Sequence, residues 1–111
     1  MMNTHLRQRI ETLLNAHDSA TLATCGSAGP QISIVTYTVQ QLGLHLALPH
    51  GSDHLFNLET QPTLMLLTAS WRLHGRGYAT GDTNHHQATV VVTGKHLHVL
   101  NGQHTVETID F

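Results

Sequence analysis

A single cysteine, Cys25, stands among 111 residues, so neither an internal disulfide nor a paired-thiol centre can form. Charge is scarce too. Lys, Arg, Asp and Glu make up 11% of the chain, against roughly 25% in an ordinary globular protein. So little charge predicts that part of the surface is covered by another subunit. Five bases against seven acids leave a formal charge of −2, without the basic patch that nucleic-acid phosphates require. No stretch approaches the roughly 18 consecutive apolar residues of a membrane span, and the opening Met1-Met2-Asn3-Thr4-His5 has no apolar signal region. The expectation is a cytoplasmic protein with no nucleic-acid or membrane partner.

What is abundant is histidine. Protonating all 11 would add 11 positive charges, so net charge changes steeply around the pKa of free imidazole, about 6.5. The apolar fraction of 40% is that of a folded domain, and the length allows one domain with one core. A core this small gains from association.

Periodicity supplies the elements. Leu6, Ile10, Leu13, Leu14 and His17 recur at helical spacing, which predicts an amphipathic helix from about Thr4 to Ala16. A short strand, Ala20 to Cys25, and a Gly26–Pro30 turn follow. Gln31 to Val39 is β-branched, Gln40-Gln41 with Gly43 marks a tight return, and Leu42, Leu44, Leu46 and Leu48 alternate with smaller or polar residues. Pro49-His50-Gly51 breaks that strand. Ser52 is a good N-cap for a second helix burying Leu55, Leu58 and Phe56, which Pro62 stops. Thr63 to Ser70 and Arg72 to Thr80 read as strands, and Gly75 and Gly77 suggest a bulge or close backbone approach. Gly81 to His86 reads as a loop, and Thr89 to Thr93 is too short and β-branched for a helix. Asn101-Gly102 between His96–Leu100 and His104–Ile109 signals a type I′ hairpin. The order α-β-β-β-α-β-β-β-β predicts a mainly β (α+β) domain: an antiparallel barrel of about six to seven strands with two short helices.

From Arg9 to about Thr80 the chain resembles the pyridoxamine 5′-phosphate oxidase-like split barrels that bind FMN. The residues that carry the likeness are the Ala-Thr-Leu-Ala-Thr strand, Gly29-x-x-x-Ser33 with Pro30, and Gly51-Ser52 opening a helix with Asn57-Leu58. Gln61-Pro62 and Trp71 before Gly75-Arg76-Gly77 follow in the same order. The resemblance implies an antiparallel split β-barrel, a homodimer with FMN at the subunit interface, and redox chemistry on a small molecule. Other proteins of that kind bind haem or a deazaflavin.

Carried over residue by residue, the resemblance makes Ser52 and His54 candidates for the phosphate and Ser33 and Thr36 for the strand beside the ring. Trp71 becomes a flanking wall and Arg76 a compensating charge. The chain departs from the pattern in reading Ser52-Asp53-His54 where such proteins commonly have a serine followed by two bases. Either Arg72, Arg76 or a partner's residue compensates, or the flavin has been lost. The short C-terminal third argues against the pyridoxamine phosphate reaction itself. No residue is singled out as an acid or base.

Two alternatives stand beside flavin binding. One is a haem- or metal-binding protein on the same barrel, with His96, His98 or another histidine as ligand, although no framework such as HExxH is present. The other is a dimeric structural or regulatory module without cofactor. Cys25 is expected to be a small buried hydrophobe.

Overall fold

The computed structural model describes residues 3–83 and 87–111. Helix α1 (Thr4–Leu14) begins where the Asn3 side chain accepts the Leu6 amide hydrogen at 2.7 Å. It ends at Asn15, earlier than periodicity alone predicts, and buries Ile10 and Leu14. The strands are β1 (Ser19–Thr24), β2 (Gln31–Gln40), β3 (Gly43–Pro49), β4 (Thr63–Leu67), β5 (Trp71–Thr83), β6 (Gln87–Asn101) and β7 (His104–Asp110). Helix α2 (Asp53–Thr60) lies between β3 and β4. No helix of the described residues is long and apolar enough to cross a membrane.

All pairings are antiparallel, in the order β3-β2-β1-β4-β5-β6-β7. An additional β3–β6 ladder, with Leu44 opposite Val92 and Leu46 opposite Val90, joins the ends of six strands into a closed barrel. Closure joins what would otherwise be the β3 and β6 edges of those six strands, and β7 remains as an extra edge strand on the far half of β6. The alternating leucines work as the sequence predicts. Leu44, Leu46 and Leu48 point inward with Leu22, Leu66 and Leu73, none more than 1% exposed. Each contributes about 1.5–3 kcal/mol by leaving water. Tyr37 meets Trp71 edge-to-face at 5.9 Å in this core and donates its hydroxyl hydrogen to the Leu14 carbonyl at 2.6 Å. Burial pushes the Tyr37 pKa up to about 12, so the phenol stays a donor.

Several expectations need correcting. Residues 87–101 form one strand rather than two pieces, because Gly94 does not break the chain. A Cβ there would meet Phe111 at 2.8 Å and Leu73 at 3.0 Å, so the glycine admits close packing. Strand β5 continues to Thr83, through the first half of the expected Gly81–His86 loop; residues 84–86 lie outside the described residues. The last hairpin closes on Gly102-Gln103, one residue beyond the predicted turn. Only Gly102 has positive φ (64°), the pattern of a II′ turn rather than I′. Gly75 does both things anticipated: the β5–β6 register shifts beside it, and a Cβ there would lie 2.5 Å from the Thr93 carbonyl oxygen.

Candidate functional site

Helix α2 turns an unexpected face inward. His54, Asn57 and Leu58 are buried, Leu55 is half-buried, and Phe56 is 52% exposed. The helix starts as predicted, with the Ser52 Oγ accepting the His54 amide hydrogen at 3.2 Å and Asp53 in the first turn. The two polar residues it buries are paired. Asn57 reaches the turn between β1 and β2: its Oδ1 accepts the Ala28 amide hydrogen at 2.7 Å, and its Nδ2 donates to the Gly29 carbonyl at 2.8 Å and to Thr24 Oγ1 at 3.1 Å. Gly26 permits that contact, since a Cβ there would come within 2.6 Å of the Asn57 carbonyl oxygen.

His54 continues the chain of contacts. Its Nδ1 lies 2.8 Å from Thr24 Oγ1 and its Nε2 2.6 Å from Ser33 Oγ, so both ring nitrogens are used inside the protein. The residue is only 4% exposed. Burial lowers its pKa below the ordinary imidazole value, opposed by the weaker pull of Asp53. A depressed histidine pKa means the unfolded chain binds the proton more tightly. Its linked stability is therefore full above the unfolded pKa of about 6.5 and is lost as pH falls through that value toward the folded one. We expect chemical denaturation to show falling stability from about pH 7 to about pH 5, with a shallower slope in His54→Gln. His74 and His98, also lowered chiefly by burial, act in the same direction but closer to solvent. An identical slope in the variant would remove His54 as its source.

The six residues drawn from the sequence are not all together. Ser33, Thr36 and Ser52, from β2 and the start of α2, line one cleft of ≈ 550 Å³, with Pro49 and Gly51 beside them. His54 supports that cleft from behind through Ser33. Trp71 has no exposed surface and fills the core. Arg76 is exposed on β5 opposite Thr63 and lines neither this cleft nor the one described next. Thr24 and Asn57 escaped sequence reasoning as site residues, although the i, i+3, i+4 spacing of His54, Asn57 and Leu58 marks one helix face.

A second cleft, ≈ 510 Å³, lies on the outer face of the sheet, lined by Ala23, Cys25, Ile32, Met65 and His74 among others. Cys25 is exposed rather than buried, because strand alternation turns Thr24 inward and Cys25 out. His74 stacks edge-to-face on His98 at 5.2 Å. Among the described residues no three His, Cys, Asp or Glu side chains are grouped to hold a metal ion.

A closed antiparallel barrel of six strands, one appended strand and two helices is the split-barrel fold, shared in structure with proteins described as pyridoxamine 5′-phosphate oxidase-like. The chain is similar in structure to general stress protein 26 of Bacillus anthracis, with a TM-score of 0.77 and 12% identity over 97% of this chain and 100% of that one. It is similar to a Clostridium acetobutylicum protein related to general stress protein 26, of the pyridoxinephosphate oxidase family, with a TM-score of 0.71 and 12% identity over 99% and 96%. HutZ, the haem storage protein of Vibrio cholerae, aligns with a TM-score of 0.66 and 14% identity over 85% and 94%. No protein-family model and no curated protein matches the sequence.

Proposed function

We propose that this chain is a homodimeric split barrel that binds FMN and serves as a small flavin-dependent oxidoreductase or flavin-binding protein for a small molecule. The observation that carries this reading is a cleft at the start of α2 lined by Ser33 and Ser52, with Thr36 at its side. The Ser33 and Ser52 hydroxyls and the positive end of a helix suit the oxygens of a phosphate. Among the described residues no arginine or lysine lines the cleft and Asp53 stands nearby, so a phosphate held here would be met by hydroxyl and helix dipoles rather than by charge. Bound there, FMN would supply the electron transfer, while Ser33 and Ser52 would hold its phosphate arm and β2 would orient its ring.

The dimer rests on the outer face of the sheet. Ile32 and Ile34 on β2 are 73% and 79% exposed and stand opposite Ala23 and Thr21, which in turn face Met65 and Leu67 on β4. An apolar face of this kind calls for a partner surface, and a second copy of this charge-poor chain is the occupant we favour.

A second reading, haem binding, is favoured by His74. Its imidazole lies in the apolar outer cleft beside Met65, and burial lowers its pKa, so the neutral, ligating form is present at neutral pH. Optical titration separates the two. The flavin reading expects saturable quenching of FMN fluorescence on adding protein, weakened in Ser52→Ala. A Soret shift with haemin, abolished in His74→Ala and accompanied by no response to FMN, would replace flavin with haem.

A further inference from the structure

The main chain dictates the orientation of the Asn57 amide. Its Oδ1 faces the Ala28 amide, which only donates, and its Nδ2 faces the Gly29 carbonyl, which only accepts. The other Nδ2 hydrogen goes to Thr24 Oγ1. Thr24, 5% exposed, then has its own hydroxyl hydrogen to place, and His54 Nδ1 at 2.8 Å is the acceptor within reach. A neutral imidazole that accepts at Nδ1 carries its proton on Nε2. Burial keeps His54 in that neutral form at neutral pH. Nε2–H therefore donates to Ser33 Oγ at 2.6 Å, and the Ser33 hydrogen is left for the cleft that this exposed residue lines.

We infer that Asn57, Thr24 and His54 form a one-way hydrogen-bond relay that makes Ser33 a specificity-determining donor to a phosphoryl oxygen, not a nucleophile. A nucleophilic serine needs the opposite direction, with its proton passing to an unprotonated Nε2. Here that direction is opposed from the Ala28–Gly29 main chain onward. Each bond in the series polarises the next, so the last hydroxyl is a stronger donor than an isolated serine. This offers one answer to the missing bases: an anionic oxygen is met by an oriented dipole instead of a cation. The ligand rests on the cleft reading above; the direction of the relay does not.

Long-range proton–nitrogen correlation on the histidine rings of unliganded protein tests the relay, with His54 assigned through its backbone or by its loss in His54→Gln. The expected result is a pyrrole-type Nε2 and an unprotonated Nδ1, with Thr24→Val releasing this preference. A proton on Nδ1 overturns the relay, as does covalent labelling of Ser33 by a fluorophosphonate. Titration with inorganic phosphate and with FMN tests the ligand. Ser33→Ala is expected to weaken binding of both by about ten- to a hundredfold, and Ser33→Thr to restore it. Absence of phosphate binding to the unaltered protein overturns the acceptor site. Phosphate binding without FMN binding, with the Nε2 proton in place, overturns the flavin reading alone and upholds the relay.

Discussion

Replacing Asn57 with alanine is expected to lower stability by about 2–4 kcal/mol, among the largest losses any single polar residue here can cause. Its side chain is wholly buried and makes three hydrogen bonds to groups on the β1–β2 turn and on β1. Truncation leaves the Ala28 amide, the Gly29 carbonyl and the Thr24 hydroxyl without that partner. Each buried orphan costs about 1–3 kcal/mol, and water reaching the half-buried turn residues recovers part of it. The melting midpoint should fall by roughly 8–16 °C for a domain of this size. A loss below about 0.5 kcal/mol, the range of an ordinary surface substitution, would show that the turn does not depend on α2. The ligand cleft should suffer as well, because Ser33 is held through the same contacts.

The second large effect concerns association. Ile34 is 79% exposed, so Ile34→Lys removes almost no contact within one chain and should leave unfolding of the monomer nearly unchanged. If the outer face is where two copies meet, a lysine there buries a charge without a partner, a penalty of several kcal/mol. Sedimentation velocity should then show the unaltered protein as a dimer and Ile34→Lys as a monomer at the same micromolar concentration. A monomeric parent, or a variant that stays dimeric, removes this face from the interface.

Much of the barrel could be read from the sequence because backbone physics was written into adjacent residues. Leu44, Leu46 and Leu48 alternate on a strand, Ser52 caps a helix, and Pro62 follows its end. What escaped depends on residues far apart in the chain. Gly94 reads locally as a break, and only the approach of Phe111 and Leu73 explains it within a continuous strand. The buried face of α2 escaped for a related reason. Hydropathy favours Phe56 over His54 and Asn57, yet the polar pair is buried because Thr24, Ala28, Gly29 and Ser33 stand ready to satisfy it. Of the candidate residues named from the sequence, Ser33, Thr36 and Ser52 line one cleft, whereas Trp71 serves the core and Arg76 lies apart. Ion pairing across the molecule was equally invisible. Arg9 on α1 forks onto the Glu107 carboxylate of β7, raising the one pKa and lowering the other through that hydrogen bond.

Native mass spectrometry of the purified protein after incubation with FMN tests the central claim most directly. The account predicts two chains travelling together with a mass increment of FMN, and loss of that increment in Ser33→Ala. A single chain that never carries flavin at any protein concentration would contradict it.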